Sequence, residues 1–101
     1  MKKNFIHAGN VLKGLRLDRK MTQRQIADGS GLHVQYVSNW ERGLCMPPTH
    51  SLKRVARVLK ISPEEKLLLK EAIHRDCIER ANQNFKGLII KIGAENVTPK
   101  R

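Results

Sequence analysis

Residues 23–43 read QRQIADGSGLHVQYVSNWERG, and this stretch decides the fold. Its first half predicts a short helix, because Thr22 can serve as the N-cap and Gln25 completes a capping-box pattern three residues later. Gly31 can adopt the positive φ that helix ends and sharp turns commonly require. The first half therefore predicts a helix that stops at a tight turn.

The second half of the stretch predicts another helix over residues 34–42, with His33 at its N-cap position. Val37 and Trp40 are three residues apart and point to one face, which we expect to be the core face. The polar side chains left on other faces are Gln35, Tyr36, Ser38 and Asn39. Two short helices joined in this way form a helix-turn-helix, whose second helix can lie in the major groove of DNA.

The spacing of these residues resembles that of the Cro/Xre-type repressor family, which has a lambda-repressor-like DNA-binding domain. The likeness extends from about Gly9 to Ser62, so it covers more than the turn. The residues that carry it are Gln23, Ala27, Gly31, Val37 and Glu41-Arg42-Gly43. The resemblance implies an all-α fold, a five-helix bundle. The alternative is a pair of amphipathic helices in some other all-α domain, and the extent of the likeness favours DNA binding.

The charge of the chain points to a polyanionic partner. The chain has 101 residues, enough for one domain with a modest core, and a net charge of +11. Residues 1–63 hold twelve Lys or Arg against three Asp or Glu, which gives them a charge of +9. Such an excess is typical of DNA binding, because each neutralised phosphate releases counterions. A membrane-surface helix is the competing interpretation, but no segment combines an apolar face with a lysine-rich one.

Several other classes of protein are disfavoured by the composition. The sequence has no apolar run long enough to span a membrane and no signal segment, so we expect a cytoplasmic, nucleoid-associated protein without a membrane partner. Cys45 and Cys77 are far apart and not in a metal spacing. The four histidines lack partners at metal-ligand or triad spacing, so we expect no metal, no cofactor and no enzymatic activity.

Apolar periodicity predicts three further helices around the helix-turn-helix. The first begins at about Phe5 or Ala8 and ends at Arg19. The fourth follows the Pro47-Pro48 loop and is capped by Thr49. The fifth begins with the start signal Ser62-Pro63-Glu64-Glu65 and ends at about Ala81. The apolar face that we expect for the fifth helix consists of Leu68, Leu69, Ala72, Ile73, Cys77 and Ala81.

The C-terminal segment has two interpretations. We place the DNA-binding domain at residues 1–82, with the helix-turn-helix at 22–43, and a C-terminal extension at 83–101. Residues 85–92 fit either a helix or a short strand, and their isoleucines favour the strand. In both cases the apolar residues require a partner, and a second copy of the chain is the simplest one. We expect a homodimer, a disordered basic tail over residues 94–101, and a surface that another protein could also use.

The second helix of the helix-turn-helix, residues 34–42, is the recognition helix and supplies the expected base contacts. Gln35 and Asn39 lie four residues apart on one face, and their amides can donate to and accept from adenine. Val34 either packs on a thymine methyl or serves as a second core valine. His33 is a cap, a phosphate contact or both. The phosphate contacts that we expect are Gln23, Arg24, His33, Tyr36, Ser38, Arg42 and Lys53.

Three of these roles depend on the resemblance or on helix position. The resemblance implies that Gln23 contacts phosphate and that Arg16 pairs with Glu41, which ties the first helix to the recognition helix. The alternative for Arg16 is an ordinary surface cation. Lys53 lies one turn into the fourth helix, where it can join the helix N-terminus at a phosphate.

The sequence thus predicts a sequence-specific DNA-binding transcriptional regulator, a repressor that binds a palindromic operator as a homodimer. The alternative is a protein-interaction module, such as an antitoxin-like partner-binding protein, in which DNA binding is secondary. RNA binding is disfavoured because aromatic residues make up only 4% of the chain.

Overall fold

Five α-helices build the protein in the computed structural model, which describes the backbone of residues 4–96 and the side chains of residues 4–82. Residues 4–96 contain no strand. The all-α, five-helix expectation is therefore confirmed. The helices are α1 (Ile6–Asp18), α2 (Gln23–Ser30), α3 (Val34–Glu41), α4 (Thr49–Leu59) and α5 (Pro63–Asn96).

The start and end of α2 follow the local signals in the sequence. The Thr22 hydroxyl accepts a hydrogen bond from the Gln25 N–H at 3.0 Å, and the Gln25 side-chain oxygen accepts one from the Thr22 N–H at 2.8 Å. This is the predicted capping box. Gly31 closes the helix in the left-handed conformation with φ 68°, which glycine adopts without a Cβ penalty.

The core lies where α1, α2, α3, α4 and the first turns of α5 meet. Val37 and Trp40 are both 4% exposed, so the predicted inward face of α3 is confirmed. Aliphatic side chains from the other helices surround them and exclude water. The buried residues of this cluster are Leu12, Leu15, Ile26, Ala27, Val37, Trp40, Val55, Leu59 and Leu69.

Gly9 sets how closely α1 approaches the end of α3. A Cβ atom at this position would lie 2.5 Å from the backbone oxygen of Trp40 and 2.9 Å from that of Glu41. Real Cβ atoms do not tolerate such distances, so the approach requires a glycine. The helix penalty of Gly9, about 1 kcal/mol relative to alanine, is offset by the packing of α1 on α3.

Asp76 of α5 caps the N-terminus of α1. Its carboxylate is buried and accepts hydrogen bonds from the backbone N–H groups of His7 and Ala8 at 3.0 and 2.8 Å. Phe5, the N-cap residue, makes no side-chain cap of its own. The unsatisfied N–H groups of the first turn are thus paired by a side chain from a helix distant in the chain.

The start of α4 differs from the sequence prediction. Thr49 is the first residue of the helix, and the N-cap position is occupied by Pro48, with no side-chain hydrogen bond. The prediction that Thr49 caps α4 is wrong, because the polar residue falls one position inside the helix. Pro48, with ψ 152°, supplies the extended backbone that precedes the first turn.

The predicted beginning of α5 is confirmed, and an ion pair between Arg19 and Glu65 holds it to the bundle. Ser62 and Glu65 form the predicted capping box, with hydrogen bonds of 2.9 and 3.1 Å. Arg19, at the end of α1, donates two hydrogen bonds to the Glu65 carboxylate and one to the carbonyl of Leu59. Hydrogen bonds from Arg19, and then from the Ser62 backbone, lower the pKa of Glu65 to about 2.

The C-terminal half of α5 overturns two predictions. The helix does not end near Ala81 but continues to Asn96, so the preference for a strand over residues 85–92 is wrong. A helix pairs its backbone groups within itself, whereas a lone strand would leave them unpaired. Residues 94–96 belong to this helix, and the rest of the predicted basic tail, residues 97–101, lies outside the described residues.

The apolar face predicted for α5 is buried in part. Leu69 and Ala72 are buried and Ile73 is half-buried, whereas Leu68, Cys77 and Ala81 are exposed. One side of α5 therefore faces the bundle, and the opposite side is exposed. Within the described residues, every helix falls short of the length or apolarity needed to cross a bilayer.

Candidate nucleic-acid interface

The polar face of α3 presents two amides as a pair. Gln35 is exposed and Asn39 is partly exposed. The Gln35 Nε2 donates a hydrogen bond to the Asn39 Oδ1 at 3.1 Å. The structure therefore brings the two residues predicted for base contacts together on one surface. Paired amides of this kind can present a donor and an acceptor to a base edge.

His33 caps α3 with its imidazole. The Nδ1 atom accepts a hydrogen bond from the Gln35 backbone N–H at 3.1 Å, and the His33 backbone is extended with φ −75° and ψ 139°. The geometry matches that of an N-cap residue, so the predicted cap is present. Because the cap uses Nδ1, Nε2 is the ring nitrogen left to meet a phosphate.

An ion pair joins α1 to the end of α3. The Arg16 Nε and the Arg16 Nη2 donate to the two Glu41 carboxylate oxygens at 2.6 and 2.9 Å. The Arg16 Nη1 donates to the Met21 carbonyl at 2.8 Å. The hydrogen bonds to Glu41 raise the pKa of Arg16 above its ordinary value. This bidentate geometry orients the recognition helix on the bundle.

Gln23 extends the network to α2. Its Nε2 donates to the Glu41 Oε1 at 3.0 Å. Glu41 therefore accepts hydrogen bonds from both α1 and α2, which places the start of α2 beside the end of α3. One amide N–H of Gln23 is used in this way, and the other is left for the predicted phosphate contact.

The remaining candidates differ in their surroundings. Tyr36 is 55% exposed, and its ring stacks on Trp40 with centroids 6.3 Å apart. Val34 is partly buried and packs against the core, as its alternative interpretation requires. Lys53 lines a groove between α4 and α5. Arg24 and Arg42 are exposed and Ser38 is partly exposed.

The charged residues of this candidate surface are exposed cations and one buried carboxylate. Glu41, the acidic residue of α3, is 8% exposed and its charge is compensated by Arg16. The cations predicted to contact phosphate, Arg24, Arg42 and Lys53, are exposed. A phosphate backbone that approached these residues would meet exposed cations, while the buried carboxylate of Glu41 would be screened from it.

Sequence reasoning missed the roles of three residues in positioning this surface. Gly9 and Asp76 hold α1 against α3 and α5, and Gln23 bonds to Glu41. The residues of the Asp76 and Glu41 contacts are far apart in the chain, so no local pattern marks them. The glycine in an otherwise regular helix was a usable signal, since an interior glycine with a helix penalty often marks a close approach.

One protein family and a curated relative match this chain. The family described as Helix-turn-helix matches residues 12–66, more than half of the chain. An uncharacterized HTH-type transcriptional regulator of Mycobacterium tuberculosis is 34% identical over 56 residues. That alignment covers 55% of this chain and 40% of the regulator, so the chain spans less than half of its length.

Solved structures share the fold. The restriction-modification controller protein C.AhdI from Aeromonas hydrophila is 30% identical, with a TM-score of 0.58 over 63% of this chain and 97% of that one. The controller protein C.Esp1396I, solved as a tetramer in complex with its natural 35 base-pair operator, is 27% identical, with a TM-score of 0.60 over 72% and 97%. The matched family and these neighbours are DNA-binding regulators, not enzymes.

Proposed function

Because the chain belongs to the helix-turn-helix family of transcriptional regulators, of the Cro/C1 type, we propose that it is a repressor that binds a palindromic operator as a homodimer. The observation that carries this proposal is the pair of amides on the exposed face of α3. Gln35 and Asn39 are held together by a hydrogen bond, on a short helix anchored by the Arg16–Glu41 ion pair.

Base readout would come from these two side chains. An amide can donate to the adenine N7 and accept from the adenine amino group, so we expect adenine at the positions that they contact. Val34 would add a methyl contact with the part of its side chain that the core leaves exposed. The Arg16–Glu41 ion pair fixes α3 on the bundle. The position of α3 on the bundle therefore sets which bases these side chains reach.

Phosphate contacts would fix the orientation of the domain on the duplex. Gln23 at the start of α2 and His33 at the start of α3 would approach one strand, because helix N-termini favour anions. The other candidates would supply charge or hydroxyl donors around them. These are Arg24, Tyr36, Ser38, Arg42 and Lys53.

Two copies would be needed for tight binding, because one module of this size buries little DNA surface. Their recognition helices would lie about 34 Å apart to reach successive major grooves. The C.Esp1396I tetramer on its operator supports oligomeric binding. We propose that α5 supplies the contact, through its exposed Leu67, Leu68 and Ile78 or through the extension at 83–101 beyond the domain at 1–82.

The proposal is tested by selection of bound sites from a random duplex library, followed by fluorescence anisotropy on the selected site. We expect a palindrome with adenines in each half, bound far more tightly than random DNA or RNA of equal length. Equal affinity for duplex and RNA, or no duplex binding at physiological salt, would instead assign the chain to the protein-interaction class.

Gln35→Ala and Asn39→Ala test the base contacts. Each should weaken binding to the selected site by about 1–3 kcal/mol and leave binding to random DNA nearly unchanged. Asn10→Ala is the matched control, since it removes an exposed amide from α1. If both α3 variants kept full discrimination between selected and random sites, the assignment of the base contacts would be wrong.

A further inference from the structure

A second surface, the groove between α4 and α5, has the features of a small-molecule site. α4 and the first turns of α5 border an open groove with a volume of about 540 Å³. This volume lies in the range of pockets that hold small ligands. The floor of the groove is aliphatic and consists of Leu52, Ala56, Ile61, Leu69 and Ile73.

Two rows of cations line the rims of this groove. Lys53 and Arg57 lie four residues apart on α4, and Lys66 and Lys70 lie four residues apart on α5. Residues four apart share one helix face, and like charges at this spacing repel each other. Among residues 4–82, whose side chains the structure describes, the only other polar residue of the lining is Thr49, and no acidic residue belongs to it. From the described side chains, the groove thus combines an apolar floor with four cations and no carboxylate.

We infer that the groove binds a small amphipathic anion, an alkyl carboxylate whose chain lies on the aliphatic floor and whose head pairs with the lysines. The groove extends from Lys66 to Ile73 along α5, which is roughly 10 Å at the helical rise. An octyl chain is of comparable length. The carboxylate gains charge-assisted hydrogen bonds from cations that otherwise repel each other.

Charge decides against two other occupants. A second copy of this chain carries a net charge of +11, and the segment 83–101 carries four Lys or Arg against one Glu. Both would bring positive charge to a positive groove. A DNA phosphate matches the cations but leaves the aliphatic floor uncovered. A ligand with one apolar and one anionic part satisfies both features.

Occupation of the groove would reach the DNA surface through Lys53. This lysine lines the groove and is also one of the proposed phosphate contacts. A bound carboxylate would neutralise its charge and so weaken DNA binding. This consequence rests on the proposed function, whereas binding of the anion to the free protein does not.

Titration calorimetry of the full chain with four probes tests the binding itself. We expect octanoate, below its micelle concentration, to bind at one site. Acetate has the head alone, octanol has the chain alone and octylamine has the opposite charge, so each should bind more weakly than octanoate. Absence of octanoate binding, or equal binding of octanoate and octylamine, would overturn the proposal.

Methyl NMR locates the ligand on the same protein. Octanoate should shift the methyl resonances of Leu52, Ile61 and Ile73, and leave those of Leu17 in place. Leu17 is exposed on α1 and does not line the groove, so it is an internal control. Shifts confined to Leu17 or to other methyl groups outside the groove would contradict the assignment.

Charge variants complete the test. The double variant Lys66→Glu/Lys70→Glu should lower octanoate affinity by about tenfold or more, and the milder Lys66→Gln/Lys70→Gln should lower it less. Lys13→Glu/Lys20→Glu removes equal charge from exposed positions outside the groove and should leave the affinity unchanged. Equal losses in both Glu double variants would overturn the proposal.

Sedimentation and DNA binding separate this proposal from its alternatives. If Lys66→Glu/Lys70→Glu converted a dimer to a monomer without octanoate, the groove would be a protein interface and the proposal would fail. Octanoate should weaken DNA binding by the wild type and have less effect on Lys53→Ala. Absence of DNA binding in every condition would defeat the proposed function, but calorimetry would still decide the ligand site.

Discussion

At the scale of the residue, Gly9 determines whether the recognition helix can be held at all. Its Cα lies so near the end of α3 that an added Cβ would meet the backbone oxygen of Trp40 at 2.5 Å. The obstructing atoms belong to the backbone, so a side-chain rotation cannot relieve the clash. Helix propensity and packing therefore act in opposite directions at this position, and packing decides which residue is tolerated.

Gly9→Ala should lower the free energy of unfolding by about 1–3 kcal/mol, the usual range for overpacking. Gly14→Ala is the matched control on the same helix. A Cβ there meets nothing within 4 Å, so the substitution should raise stability by about 0.5–1 kcal/mol through helix propensity alone. Urea denaturation of both variants measures the two changes in the free energy of unfolding. Equal changes would mean that α1 and α3 are further apart than the structure shows.

At the scale of the element, the junction of α1, α4 and α5 depends on one carboxylate. Arg19 lowers the pKa of Glu65 from 4.5 to about 2. Because the folded protein holds this carboxyl in its ionised form more strongly than the unfolded chain does, its contribution is fully present above pH 4.5. That contribution is lost as the pH falls through this window toward 2.

Glu65→Gln should therefore destabilise the protein at neutral pH, and the difference from the wild type should shrink steadily as the pH falls from 4.5 to 2. Glu64→Gln removes the same charge from the adjacent exposed position and serves as the control. Denaturation over a pH series gives both curves. A Glu65→Gln difference that stayed constant down to the lowest pH would exclude the ion pair as its source.

The contact between Asp76 of α5 and the N-terminus of α1 leads to a separate prediction. The Asp76 carboxylate offers two acceptor oxygens, whereas an asparagine there would offer one and would turn its amide N–H toward a backbone donor. Asp76→Asn should thus cost about 1–3 kcal/mol, the range for a buried group left unsatisfied. Hydrogen exchange should show lost protection at the amides of His7 and Ala8.

Glu79→Gln is the control for this contact. Glu79 bonds to His7 at 2.8 Å from a position that is half exposed, so its removal should change stability by about 0.5 kcal/mol or less. Similar losses in the Asp76 and Glu79 variants would mean that the charge of this region matters rather than the cap.

At the scale of the whole molecule, α5 gives the protein its long dimension. The helix has 34 residues, roughly 50 Å at the helical rise, and the longest extent of the molecule is 55 Å. Leu67, Leu68 and Ile78 on this helix are 57%, 56% and 45% exposed. Exposed large apolar residues along one helix are typical of a surface that a partner covers.

Removal of residues 84–101 should shift the proposed homodimer toward monomer, because Phe85, Leu88, Ile89 and Ile92 repeat at helical spacing and, as we infer, require a partner. Sedimentation equilibrium measures the shift. An unchanged profile would place the interface on the exposed residues of α5 within the described part of the chain. Leu68→Lys would then be expected to give the monomer instead.

The sequence by itself determined the elements whose signals are local. Thr22 with Gln25 and Ser62 with Glu65 form capping boxes over three residues, and Gly31 ends α2 where a positive φ is needed. The residues of each signal are close in sequence, so they meet whenever the helix forms, whatever packs around it. The helix-turn-helix, the inward face of α3 and the adjacent positions of Gln35 and Asn39 therefore followed from the chain alone.

The tertiary structure alone decided how these elements are held together. Asp76 meets an amide 69 positions away, Gln23 meets Glu41, and Gly9 meets the backbone of α3. Such pairings depend on the packing of whole helices, which no short window of sequence contains. Residues 85–92 differ for another reason, because the β preference of isoleucine lost to a helix that pairs its own backbone.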